Sequence, residues 1–334
     1  MPEFVLRYTG LNPLEARSCL YNSFYGASLE VNFALFGVSA MQQYNYFCAI
    51  GRNSLVKILI NCSLELPAYP IFDEKHCKCR SDKSYLPTIV EGRVIWHLGY
   101  VESLSEDTLT ANYGIFKENA QNELPNYSPI GVLTDGFTST QNSVRNNFLK
   151  TIIGICLFHA SLLIHRRLKK ELGDNAEILS KQFFNIINKF NSKEWLPVFK
   201  IGQRIRRFKE KLIKIGGDKT NDIVEWINRK KAGWMKVMQI EQMPNVTTLL
   251  DQAHNCIDRK LFNMKQFHHK NGRQADYMNA FAMLYNLIPY QKRAKNAGFC
   301  GIQVNKGKLP DKDWMLSLQI LTSGGYQYNK DTTT

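Results

Sequence analysis

Four aspartates stand where their neighbours could make them metal ligands. Asp73 follows Pro70-Ile71-Phe72, an apolar run that reads as a buried central strand, and a carboxylate there is costly to desolvate without a partner. Glu74 comes directly after it, and since strand neighbours point to opposite faces only one of the two can face a site. Asp135 ends Gly-Val-Leu-Thr and precedes Gly136. Ligands gather at such strand ends in open parallel sheets, but an Asp before Gly is also an ordinary turn or cap residue. Asp251 and Asp258 lie seven residues apart in VTTLLDQAHNCIDRK, two turns along one helix face, with His254 and Asn255 on a neighbouring strip. Carboxylate oxygens suit Mg²⁺ or Mn²⁺ rather than zinc. Two such ions can activate a water or a DNA 3′-hydroxyl and stabilise the leaving oxygen of an in-line phosphoryl transfer. The alternative is that Asp251 and Asp258 are solvent charges paired with Arg259 and Lys260. Spacing does not choose between these, nor between Asp251 and Asp258 as the third acid.

The elements that must position these acids can be read from periodicity. Three strands are expected in AYPIFDEKHC, YLPTIVEG and RVIWHLGYVE, with a hairpin turn at Gly92. A helix capped by Ser105 follows, then the strand PIGVLTD, a helix over about 138–148, and the apolar run TIIGICLFHA, a strand or the start of a helix. Strands that alternate with helices imply parallel crossovers added to an antiparallel start. This is the succession of an RNase H-like α/β fold, a mixed sheet with flanking helices, whose acids sit on the first strand, the end of the fourth and a later helix.

Residues 1–65 read as short helices. Gly37-Val38-Ser39 separates two of them, and Gln42, Gln43, Tyr44 and Asn45 open the second. This is either a helix-turn-helix for DNA or a plain helical cap. Residues 161–240 read as a basic helical insertion dividing a catalytic domain of 66–160 and 241–325. Arg166, Arg167, Lys169, Lys170, Arg204, Arg206, Arg207, Lys209 and Lys211 would bind phosphates there; the plainer reading is a solvated charged face.

A chain of 334 residues with 44% hydrophobic residues can bury a sizeable core, and a net charge of +14 points to a polyanionic partner. The eight cysteines are scattered and no signal peptide is recognisable, so reduced thiols are expected. Cys77 with Cys79, and Cys156 with His159, are the suggestive pairs for zinc; core packing and a structural histidine are the alternative. His268-His269 is a weaker pair. No Ser/His/Asp triad, phosphate-binding glycine loop or dinucleotide fingerprint is recognisable, and no apolar run is long enough to span a bilayer.

PIFDEKHCKCRSDKSYLPTIVEGRVI, TDGFTSTQNSVRNNFLKTIIGICLFHASLLIHRRL and VTTLLDQAHNCIDRKLFNMKQFHH together resemble a prokaryotic insertion-sequence transposase of the DDE/DDD class. The Asp-Gly strand end with a downstream Cys-x-x-His is similar to its Mutator-type branch. The resemblance covers about residues 68–320. It implies an RNase H-like catalytic domain, two Mg²⁺ ions (or Mn²⁺) held by Asp73, Asp135 and Asp251, and a structural role for Cys156 and His159. It also implies cleavage and joining of double-stranded DNA at transposon ends and target, a homodimer or larger assembly on DNA, and a cytoplasmic, nucleoid-associated setting. Two other readings are a DNA-binding protein that keeps the fold without the chemistry, and an RNase H-like nuclease or resolvase that cuts without joining.

Overall fold

The computed structural model describes residues 13–188, 198–267 and 272–323; His268 and His269 lie outside them. The chain opens with helices α1 (Pro13–Phe24), α2 (Leu29–Phe36), α3 (Ala40–Gly51) and α4 (Leu55–Asn61). Strands β1 (Ile71–Cys79), β2 (Asp82–Glu91) and β3 (Val94–Leu98) follow, then α5 (Glu106–Glu123), β4 (Gly131–Thr134), α6 (Thr138–Asn147) and β5 (Ile152–Ile155). Four helices come next: α7 (Leu157–Leu172), α8 (Ala176–Asn188), α9 (Val198–Gly216) and α10 (Asn221–Gln239). The described chain closes with α11 (Thr248–Met264), α12 (Arg273–Leu287), α13 (Gly301–Val304) and α14 (Trp314–Thr322).

The five strands make one mixed sheet in the order β3-β2-β1-β4-β5, with β1 central. β2 pairs antiparallel with β3, while β4 runs parallel to both β1 and β5. The α/β class and the succession read from the sequence are therefore observed. Arg80 and Ser81, both at positive φ (48° and 69°), form the two-residue turn between β1 and β2, a backbone shape that matches the twist of the strands it joins. Gly92, at φ 59°, opens the β2–β3 turn as expected. TIIGICLFHA is both strand and helix: β5 ends at Ile155, and Cys156 caps α7.

The chain divides into two compact units. The first holds the described residues up to Pro67, then Asp73–Ser128, and those from Leu249 onward. Here α12 packs on α3 and β3, with Phe47, Tyr277, Met278, Phe281 and Leu284 buried. Gly51 lets α3 approach α12, because a β-carbon there would overlap the Asp276 carbonyl oxygen. Gly51→Ala is expected to lower the unfolding free energy by about 3 kcal/mol, read from the urea midpoint.

Within this unit α2, the Gly37 turn and α3 have the outline of a helix-turn-helix, but the polar residues of α3 are engaged internally. Gln42 completes the capping box with Ser39. Gln43 is buried and donates to the carbonyls of Leu29 and Val38 at 2.9 and 2.7 Å. Tyr44 stacks on Tyr277, and Asn45 accepts from Arg273 at 2.9 Å. The helical-cap reading is the one these contacts support.

The second unit is Ala68–Phe72 with Pro129–Thr248. The expected boundaries at 160 and 241 shift accordingly: β4, α6 and β5 group with the basic helices. The reason is close packing of α10 on β5, where a β-carbon on Gly233 would meet the Ile155 side chain at 2.6 Å. The core of α7–α10 is an apolar stripe from each helix. Ile164 and Leu168, Leu179 and Phe183, Ile205 and Phe208, and Ile227 and Trp234 are buried together, at the spacing expected of amphipathic helices. No helix among the described residues is long and apolar enough to cross a membrane.

Candidate functional site

In the first unit, the alternation of β1 sorts its charged residues between two helices. The Tyr113 hydroxyl of α5 donates to Glu74 Oε1 at 2.6 Å, so Glu74 faces α5. Lys75 Nζ reaches Asp258 Oδ2 of α11 at 2.7 Å. Asp73 has the parity of Lys75 and therefore lies on the side of the strand that α11 covers. Asp73 Oδ1 also accepts from the Glu74 amide at 2.8 Å.

α11 presents Asp251, His254 and Asp258 at the i, i+3, i+7 spacing of one face. His254 is buried on this face, with Nε2 3.2 Å from the Thr88 hydroxyl of β2, rather than on a side strip as expected. Burial, helped by the Lys75 charge, lowers its pKa to about 3, so it is a neutral imidazole at ordinary pH. Lys260 is buried and Asp258 pairs with Lys75, which replaces the expected solvent pairing of Asp258 with its helix neighbours.

Phe267, just past α11, makes a parallel bridge with Cys79 at the end of β1, and its amide donates to the Lys78 carbonyl at 2.9 Å. Asp251 lies in the first turn of α11, two helical turns and about 10 Å before Asp258.

In the second unit Asp135 closes β4. Its Oδ1 accepts from the Phe137 amide at 2.7 Å, the turn-capping role anticipated for an Asp before Gly; Gly136 is at φ 100°. Lys230 of α10 donates to the Gly136 carbonyl at 2.7 Å. Burial lowers the Lys230 pKa, and the Asp135 carboxylate works against that shift. Also within this unit, Ile71 and Phe72 at the start of β1 pair with Leu133 and Thr134. Each of the paired residues Phe72 and Thr134 is followed in the chain by an aspartate, Asp73 and Asp135.

Among the described residues no three His, Cys, Asp or Glu side chains form a group that could hold a metal ion. Neither the zinc ligands expected at Cys156 and His159 nor Asp73, Asp135 and Asp251 form such a group. Cys156 is fully buried, 3.6 Å from the Thr247 hydroxyl, which in turn lies 3.4 Å from His159 Nδ1. Burial raises the thiol pKa, but contacts with His159 and Thr247 outweigh it, and the pKa lies below the usual value. With the Leu157 amide donating to the Asn245 carbonyl at 3.0 Å, this set fastens the start of α7 to the segment entering α11.

The basic residues expected to bind phosphates lie on the outer faces of α7 and α9. Arg166, Arg167, Lys169, Lys170, Arg206, Arg207 and Lys211 are exposed, and Arg204 and Lys209 half-buried. Several have internal partners: Arg206 with Glu210, Lys170 with Glu171, Lys209 with Asn228, Lys211 with Gln182, and Arg167 over the Trp226 ring. Among the described residues no acid forms an ion pair with Arg166, Lys169, Arg204 or Arg207.

Sequence reasoning missed Lys75 and the cations around Asp135. Lys75 was within reach, because a residue two places along a strand shares the face of Asp73. Arg145, Arg229, Lys230 and Lys236 surround Asp135 from α6 and α10, and no spacing in the chain signals that. Neither models of protein families nor curated proteins give a match to this chain.

Proposed function

We propose that the chain is a DNA transposase with an RNase H-like catalytic domain, in which Asp73, Asp135 and Asp251 hold two Mg²⁺ ions. What supports the reading most is the β1–β4 register: Phe72, at the start of β1, pairs with Thr134, at the end of β4, and each is followed in the chain by an aspartate. The parity of Asp73 with Lys75, which meets α11 at Asp258, and the place of Asp251 on that same helix face support the third member. The donor set is all carboxylate oxygen, which fits Mg²⁺ or Mn²⁺.

Bound there, the ions would supply a nucleophile at neutral pH and charge stabilisation for in-line transfer at a phosphodiester. The protein's own groups have separate tasks. Lys75 engages Asp258 in an ion pair, and neutral His254 fixes α11 to β2 through Thr88. The turn that Asp135 caps is tied to α10 by Lys230. Arg166, Lys169, Arg204 and Arg207 offer cationic surface to the DNA backbone, and a net charge of +14 favours that partner. Assembly of two or more copies on DNA belongs to the same proposal.

Asp135→Asn is expected to keep salt-sensitive DNA binding while DNA cleavage in Mg²⁺ falls by about 10³-fold or more. Binding is read by mobility shift and cleavage on labelled duplex. Cleavage at the wild-type rate would remove Asp135 from the catalytic set. Joining of a tagged 3′-end to a second DNA separates a transposase from a nuclease that only cuts.

A further inference from the structure

Beside Asp135, wholly within the second unit, is a cavity of about 540 Å³, within the size range of small-ligand sites. Three helices and a strand build it. Ile155 of β5 is buried at its base, while Leu163 of α7 and Phe137 lie partly exposed along its wall. Arg145 of α6 and Arg229 and Lys236 of α10 are exposed at its mouth. Lys230, a fourth cation, is engaged with the Gly136 carbonyl.

The two halves of this lining exclude simple ligands. A free inorganic anion would find cations at the mouth but an apolar base behind them. An apolar ligand would sit against three outward cations it does nothing to neutralise. A molecule with a flat, weakly polar part joined to an anion matches both halves, since aromatic and apolar walls accept the face of any base and Arg or Lys accept its phosphate. A base stacked and paired in duplex DNA cannot present its face to a concave site, whereas an unpaired one can.

We propose that this cavity binds one unpaired nucleotide of a DNA strand, with its base against Ile155, Leu163 and Phe137 and its phosphate on Arg145, Arg229 and Lys236. The inference deepens the transposase reading, on which its placement next to a reacting phosphodiester rests, but the binding itself requires no chemistry. The cations differ from those read in the sequence at 166–170 and 204–211, so this is a second and more selective contact than the salt-sensitive outer surface.

The test compares a thymidine trinucleotide with the matching abasic sugar–phosphate trimer, titrated against the full-length protein without divalent metal. The thymidine trimer is expected to bind about 10-fold more tightly or better. In Ala232→Trp, an exposed position of α10 that lines the cavity, that preference is expected to vanish while binding of long duplex DNA persists. Arg229→Glu with Lys236→Glu should weaken both trimers. Equal affinity of the wild-type protein for the two trimers overturns the proposal, as does a preference that survives the Ala232→Trp block. Asp135→Asn separates the two ideas: a preference retained with cleavage lost supports both. A wild-type protein that prefers the thymidine trimer but never cleaves DNA removes only the enzyme reading.

Discussion

Asp251→Asn is expected to abolish metal-dependent nicking of supercoiled DNA, a loss of about 10³-fold or more, while Asp258→Asn leaves nicking within about 10-fold of wild type. The two acids share a helix face, so the contrast isolates position rather than chemistry. Asp251 lies in the first turn of α11. Asp258 stands two turns along and is held by Lys75 at 2.7 Å. That ion pair is partly exposed, with side-chain exposures of 26% and 48%, so removing it should cost at most about 1 kcal/mol of stability. A loss of nicking in Asp258→Asn therefore could not be put down to unfolding. Should that variant lose nicking while Asp251→Asn retains it, Asp258 and not Asp251 is the third acid.

Much of the frame was legible because it is written in local signals. Gly92 marked the β2–β3 turn, Ser105 the start of α5, and the apolar run before Asp73 a central strand. What stayed hidden depends on partners far along the chain. Gln42 to Asn45 have the polar look of a recognition helix, but the sequence does not reveal that α12 supplies Tyr277 and Arg273 to receive them. The choice between Asp251 and Asp258 turns on Lys75, 183 residues before Asp258 in sequence. The basic region was visible as composition, yet its grouping with β4 and β5 follows from Gly233, which leaves room for Ile155, and from Gly154, where a β-carbon would meet Val237 of α10 at 2.4 Å. The cavity beside Asp135 draws its cations from α6 and α10, segments that no motif connects.

Lys260→Met is expected to raise the unfolding free energy by about 1–3 kcal/mol near pH 7 and to lose that advantage over wild type as pH rises toward about 10.5. Lys260 lies on α11 in the first unit and is almost fully buried, 1% exposed. Its ammonium faces the rings of Phe47 and Tyr277 at 5.9 and 5.8 Å from their centroids. Burial lowers its pKa from 10.5 to about 8, and that difference costs the charged folded state about 3 kcal/mol. The ring faces offset part of it, since cation–π contacts contribute about 1–2 kcal/mol when desolvated. Below about pH 8 both folded and unfolded chains carry the proton and the cost is felt in full. Between about 8 and 10.5 the unfolded chain holds a proton that the folded chain has released, so stability climbs with pH across that window. Above it both forms are neutral and the curve flattens. Burial raises the pKa of Tyr277 and of the thiols Cys19, Cys62 and Cys77, and these groups act the opposite way as the unfolded chain ionises, so the lysine's share is read as the difference between variant and wild type. Methionine fills similar volume with no charge to desolvate, and its gain in urea midpoint over wild type should be largest at about pH 7 and shrink by about pH 10. A variant less stable than wild type at neutral pH, with the same pH dependence as wild type, would mean that the ammonium reaches water or an acceptor in the folded chain and that its burial carries no such cost.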